Sequence, residues 1–120
     1  MLLLSQICDK MGVHMKWVVE FLNDEVEGEF LDLPKDMQAR FVRVTELIES
    51  YGLENVGMPH IRHLQEKLWE IRAKGKSGIS RGIYVAFTGR RVVILRIFVK
   101  KSQKTPQAEL ELAMKRMKEL

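Results

Sequence analysis

The sequence predicts an α+β domain: a small, mostly antiparallel sheet with two N-terminal helices and one C-terminal helix. Three observations carry this. Three β-branched, aromatic-rich runs, residues 67–73, 81–88 and 91–99, follow one another with only short glycine-containing breaks between them. Two segments ahead of them, up to Leu33 and from Pro34 to Tyr51, space apolar residues three and four apart, as one face of a helix requires. A last segment, 106–120, aligns Leu110, Ala113, Met114, Met117 and Leu120 on one side. Elements in this order fold as layers, with the helices expected against one face of the sheet.

Each element has a local cause. KWVVEFL (16–22) is apolar and β-branched enough for a first strand. Asn23 or Asp24 can cap the next helix, because a side-chain oxygen there satisfies a free N–H of the first turn. Val26, Phe30 and Leu33 form its inner face, and Pro34 ends it and opens the second helix. That helix places Met37, Phe41, Val44, Leu47, Ile48 and Tyr51 inward, and Gly52 stops it. GLENVGMPHIRHLQ (52–65), broken by Gly57 and Pro59, reads as a connection. KGKSG (74–78) makes a loose hairpin loop and Gly89-Arg90 a tight one. Lys115, Arg116 and Lys118 complement the dipole at the end of the last helix.

The chain has 120 residues, the size of one domain. MLLLSQIC at the start has no cationic n-region and too short an apolar run for a signal peptide. Met11 and Met15 lie nearby and MKWVVEF would be a natural start, so residues 1–14 are expected to be a dispensable N-terminal extension, with the domain over 15–120. At 46% apolar and 30% charged the composition is that of a globular protein and excludes a disordered chain. The lone Cys8 excludes an internal disulfide framework and a cysteine-rich zinc site, and suits the reducing cytoplasm. No apolar run approaches the roughly 20 residues that cross a bilayer, so no membrane partner is expected.

Charge is unevenly distributed. Residues 1–66 hold 6 Lys/Arg and 12 Asp/Glu, whereas 67–120 hold 14 and 4. The second half thus carries a net +10 against −6 for the first, which points to an electropositive working surface or, more plainly, a solvated basic face. FVKKSQKTP (98–106) sharpens the point. Lys100, Lys101 and Lys104 stand just ahead of a helix N-terminus, whose partial positive charge disfavours cations. An anion shared between them would compensate.

Alternation along the strands assigns faces. Val93, Leu95, Ile97 and Val99 form one side of the last strand; Val92, Ile94, Arg96, Phe98 and Lys100 form the other. In the 67–73 strand Trp69 and Ile71 oppose Glu70 and Arg72. With the apolar sides packed on the helices, Arg72, Arg96 and Lys100 are expected on an open face, where Phe98 is a surface for a base to stack on or a packing residue. Arg81 breaks the parity of its strand, and Gly82 is a place for a bulge to re-aim it. Several Arg and Lys on one face suit a phosphate backbone, since guanidinium offers a planar fork and lysine a point charge; an acidic protein segment fits as well.

Other motifs fail on spacing. GKS (75–77) is not a phosphate-binding P-loop: the glycine needed five residues earlier is Glu70, and a strand follows rather than a helix. His60 and His63 could suggest a metal pair, but no third ligand lies near, so no metal and no cofactor is expected. Either histidine has the intrinsic basicity of a general base.

The run from Leu68 to Ala113 nevertheless resembles a known family. LWEIR, the arginine entering the next strand in SRGIYVAF, and FVKKSQKTPQAE with its helix resemble the RelE/ParE superfamily of bacterial toxins, in its HigB-like, often phage-borne branch. GMPHIRHL (57–64) fits that branch too, and the likeness extends over about residues 16–119. The resemblance implies a type II toxin: a metal-independent endoribonuclease that cuts messenger RNA, usually on the translating ribosome. It also implies a cognate antitoxin as partner, in this branch often a helix-turn-helix DNA-binding protein.

Carried over by position, Arg72 and Arg81 occupy the places of the family's phosphate-contacting cations, and Lys100 and Lys101 the basic position that ends the last strand. The resemblance thus implies Arg72 and Arg81 as transition-state clamps and Lys100 or Lys101 as proton-transfer group. Arg96, Phe98 and Lys104 are expected to bind RNA around them. Residues 102–109 hold neither the Tyr nor the His that several relatives place at the start of this helix, leaving Tyr84, His60 or His63 for that role. Two other readings stand beside this one: a ParE-like poison of DNA gyrase, and a non-catalytic nucleic-acid-binding module.

Overall fold

The computed structural model describes residues 17–57, 60–87, 90–100 and 104–120. The expected extension over residues 1–14 and the candidate Lys101 lie outside the described residues, and of Lys100 only the backbone is described. The elements run β1 (Val18–Phe21), α1 (Asp24–Leu31), α2 (Lys35–Tyr51), a short 3₁₀ turn (Leu53–Asn55), β2 (Ile61–Gln65), β3 (Leu68–Gly75), β4 (Gly78–Phe87), β5 (Arg91–Lys100) and α3 (Gln107–Met117). The five strands form one sheet in the order β1-β5-β4-β3-β2. β1 pairs parallel to β5 and the other neighbours are antiparallel. This is the α+β class predicted, and the sheet is mostly antiparallel.

The local signals behave as their chemistry requires. Asn23 caps α1, its Oδ1 accepting from the Val26 N–H at 3.1 Å. Pro34 precedes α2, and Gly52 ends it at φ +86°, a backbone region that glycine enters without penalty. α1 and α2 bury Val26, Phe30, Met37, Phe41, Val44 and Ile48 against Ile71, Tyr84, Val92 and Ile94 of the sheet. Tyr51, expected inward, is instead 64% exposed in the last turn of α2.

The helices do not share one face. α3 packs Leu110, Ala113, Met114 and Met117 on Leu68, Ile83, Val85, Val93 and Leu95, which alternate with the residues that α1 and α2 cover. The open basic face inferred from alternation is therefore largely roofed. A β-bulge contributes to the difference: Ile83 pairs with Arg96 but Tyr84 with Ile94, so Leu95 is an extra residue and the parity of β5 resets there. Ile97 then faces α1 and α2, and Phe98 faces α3.

Gly82 has a packing role rather than the bulge proposed for it. A Cβ at this position would stand 2.6 Å from Cζ of Phe41, so the bare backbone admits the ring. Two further differences are local. HIRHLQ, read as connection, contains β2, an edge strand whose outward His and Arg hide its alternation. The hairpin between β3 and β4 is tight, since Gly75 pairs with Gly78. Its tip is held by Asp36, which accepts from the Ser77 N–H at 2.8 Å and hydroxyl at 2.7 Å.

Candidate nucleic-acid interface

Register places the candidate residues on the α3 side of the sheet. Arg72 stands opposite Arg81, and Arg81 opposite Phe98, in one row across β3, β4 and β5. The next row runs Glu70, Ile83, Arg96, and on the other side Lys74, Ile79 and Lys100 align. The sequence thus brings Arg72, Arg81, Arg96, Phe98 and the Lys100 backbone to one end of one face. Their environments, however, differ sharply.

Arg81 is 1% exposed and ion-paired with Glu70, itself fully buried. The other Glu70 oxygen accepts from the Thr105 hydroxyl at 2.8 Å, which ties the segment ahead of α3 to β3. Desolvation lowers the Arg81 pKa, Glu70 opposes that shift, and the nearby charges of Arg72 and Arg62 add to it. Among the described residues Arg81 Nε is buried without a hydrogen-bond partner. Arg81 is therefore a buried structural cation at this site, not the solvent-facing clamp expected.

Arg96 and Phe98 also depart from expectation. Arg96 bonds Glu109 at 3.0 Å and Glu29 at 2.8 Å, and those carboxylates raise its pKa against the opposing effect of desolvation. Phe98 is 8% exposed in the core beneath α3, with the Arg96 guanidinium 5.9 Å from its ring centre. Neither presents a free face to a base: bulge and helix have absorbed both. Arg116, expected as a surface charge at the end of α3, is likewise buried and donates to the Leu95 carbonyl at 2.8 Å. Lys104 is exposed just ahead of α3.

Arg72 is different. It is partly exposed, and no described carboxylate pairs with its guanidinium. The same holds for Arg40, Arg43 and Arg62, whereas Arg81, Arg91, Arg96 and Arg116 each hold an acid. Three of these four uncompensated arginines, Arg40, Arg43 and Arg72, line one cleft of about 220 Å³ together with His60 and Lys74. Its apolar wall is Val44, Leu47, Ala73 and Ile79.

The cleft exists because β2 starts late. Its first residue, Ile61, pairs with Ile71, and the Arg72 N–H donates to the His60 carbonyl at 2.8 Å. Beyond that point no described strand pairs with the outer side of β3, and α2 runs past that edge.

Arg40 and Arg43 were not legible as site residues. They sit in the acidic half of the chain, on the polar face of an amphipathic helix, and only the fold carries them to Arg72. The one signal in the sequence was their i, i+3 spacing, which puts both on one helix face. Of the residues considered for the missing Tyr or His, Tyr84 is 1% exposed on the α1/α2 side, where burial pushes its hydroxyl pKa up. His63 holds the Glu66 carbonyl and the edge of Trp69. His60 alone of the three adjoins Arg72. Among the described residues no group of three or more His, Cys, Asp or Glu is arranged to hold a metal, and no helix is long and apolar enough to cross a membrane.

Three helices on a five-stranded mixed sheet in this order define the RelE class of α+β fold. The crystal structure of the archaeal RelE–RelB complex from Pyrococcus horikoshii OT3 superposes with a TM-score of 0.53 at 23% identity, over 71% of this chain and 96% of the matched one. Residues 28–118 match the family described as Phage derived protein Gp49-like (DUF891), and the chain belongs to that family of RelE/HigB-type toxins. No curated protein matches.

Proposed function

We propose that this toxin is a metal-independent endoribonuclease that cleaves messenger RNA on the translating ribosome, in the cytoplasm, and that a cognate antitoxin of helix-turn-helix type holds it inactive. The observation that carries the reading is the segregation of charge. Arg81, Arg91, Arg96 and Arg116 each hold an acid, while Arg40, Arg43 and Arg72 converge on one cleft with no carboxylate among the described residues that line it. An array of that kind attracts a polyanion. The archaeal RelE structure is a complex with RelB, which supports an antitoxin as partner here.

In the proposed reaction a ribose 2′-oxygen attacks the adjacent phosphorus as its proton passes to a base. The bond to the 5′-oxygen breaks, and that oxygen takes a proton, leaving a cyclic phosphate and a 5′-hydroxyl. Arg72 binds the non-bridging oxygens and stabilises their growing charge. Lys100 or Lys101 moves the proton, at the basic position that the family resemblance gives to the end of the last strand. Arg81 acts from beneath, through Glu70 and Thr105, as a positioning residue for the segment that carries Lys104. Arg96 and Phe98 support the same row rather than contact RNA.

The test is primer extension on messenger RNA after brief induction of the chain, beside Arg72→Ala and Lys101→Ala variants. Discrete cuts that vanish in the variants are expected. Growth arrest with intact messenger RNA would replace this reading by action on DNA gyrase.

A further inference from the structure

The cleft between α2 and the outer edge of β3 lies off the sheet row where the reaction is placed, and among the described residues only Arg72 belongs to both. We propose that it is a second phosphate subsite, which holds the backbone of single-stranded RNA at a nucleotide flanking the one cleaved. The inference rests on the ribonuclease reading above and extends it to residues that the reaction itself does not need.

Four features support it. Arg40 and Arg43 are exposed on one face of α2, and neither has a carboxylate partner among the described residues. His60 and Lys74 complete the polar side, so the lining holds no acid among the described residues. Val44, Leu47, Ala73 and Ile79 offer an apolar wall to a sugar or base while the rim holds its phosphate. Lastly, Arg72 joins the cleft to the row Arg72–Arg81–Phe98, so one strand can touch both places without a break. Guanidinium forks favour phosphate oxygens, and single-stranded RNA is held by backbone charge together with contact to sugar or base faces.

The experiment is fluorescence anisotropy with a 5′-labelled, fully 2′-O-methylated RNA oligonucleotide, which cannot be cut. The wild-type chain is compared with Arg40→Ala/Arg43→Ala and with Lys115→Ala/Lys118→Ala, which removes the same charge from the exposed end of α3. Weakening on the order of 10-fold is expected for the first pair alone, with a shallower salt dependence, by about 0.7 in slope for each phosphate no longer neutralised. Equal weakening in both pairs would overturn the proposal, leaving only a net-charge effect. Unchanged RNA affinity with lost binding to poly-glutamate would overturn it in favour of an acidic polypeptide. Because cleavage by the wild-type chain is scored separately, intact cleavage with unchanged affinity removes the subsite alone. No RNA binding and no cleavage removes the ribonuclease reading and the subsite with it.

Discussion

Glu29 of α1 and Arg116 of α3 meet across the edge of the sheet. Oε1 of Glu29 accepts from Nη1 at 3.0 Å and Oε2 from Nη2 at 2.8 Å, so helices from opposite faces are joined where β1 has ended. The pair also serves the strand it passes. Glu29 accepts from the Ile97 N–H at 3.1 Å, and Arg116 donates to the Leu95 carbonyl at 2.8 Å. Two backbone groups at the bulge, lacking a strand partner there, are thus satisfied by side chains.

Removing Glu29 should therefore be costly. Glu29→Ala is expected to lose about 1–3 kcal/mol, since it leaves the Ile97 N–H unpaired and Arg116 with only the exposed carboxylate of Glu25, 3.2 Å away. Urea denaturation should show the loss as a lower midpoint at unchanged slope. Burial raises the Glu29 pKa, but Arg116, the Ile97 N–H and Arg96 together outweigh it and hold the carboxyl below its ordinary 4.5. A folded-state pKa below the unfolded one gives stability that is complete above the unfolded value and lost as pH falls through the folded one. Glu29→Gln should therefore show a shallower acid limb than wild type below pH 4.5; an identical limb would count against the pairing.

A second carboxylate pins the hairpin between β3 and β4. Hydrogen bonds from the Ser77 hydroxyl and N–H lower the Asp36 pKa below its ordinary 3.8. The sign is the same as for Glu29, so the pin is intact at neutral pH and released on strong acidification. The Ser77 amide resonance should titrate with a midpoint below 3.8, and Asp36→Asn should abolish that titration.

Gly82 supplies a packing test. With Cζ and Cε2 of Phe41 at 2.6 and 2.8 Å from a Cβ, Gly82→Ala forces the ring aside. A loss of about 1–3 kcal/mol is expected, as for other overpacked cores. Phe41→Leu placed in the same chain should recover part of it, which a double-mutant cycle measures.

What could be read from the sequence was whatever depends on neighbours along the chain. Asn23, Pro34 and Gly52 mark helix ends through local chemistry, and the periodicity of α1, α2 and α3 marks their inner faces. Arg81 and Arg96 were misplaced because their environment is non-local: Glu70, Glu29 and Glu109 lie 11, 67 and 13 residues away in sequence. The bulge at Leu95 leaves no trace in alternation, since it exists only relative to the register of β4. Arg40 and Arg43 were missed for the same reason, their partner Arg72 being brought near by packing alone.

The buried Glu70–Arg81 pair should be expensive to break and much less so to replace. Glu70→Gln leaves the Arg81 charge uncompensated in a site almost without solvent, for an expected loss of about 3–5 kcal/mol. Glu70→Met/Arg81→Met exchanges both charges for apolar groups of similar volume and should unfold at a higher urea concentration than Glu70→Gln. The opposite order would mean that the pair contributes net stability beyond mutual compensation.

Arg72 separates stability from activity. Its guanidinium is partly exposed and holds no carboxylate, so Arg72→Ala should stay within about 0.5 kcal/mol of wild type in urea. Cleavage should fall far more, by about 10²–10³, the usual consequence of removing one donor from a developing oxyanion. Arg72→Lys keeps the charge but loses the planar fork, and should lie between the two. Rates of messenger RNA cleavage on translating ribosomes, measured for the three chains at equal folded concentration, decide the matter. A gradient from Arg through Lys to Ala is what a phosphate clamp requires. Equal rates in all three would leave Arg72 a solvated surface charge and move the chemistry elsewhere on the sheet.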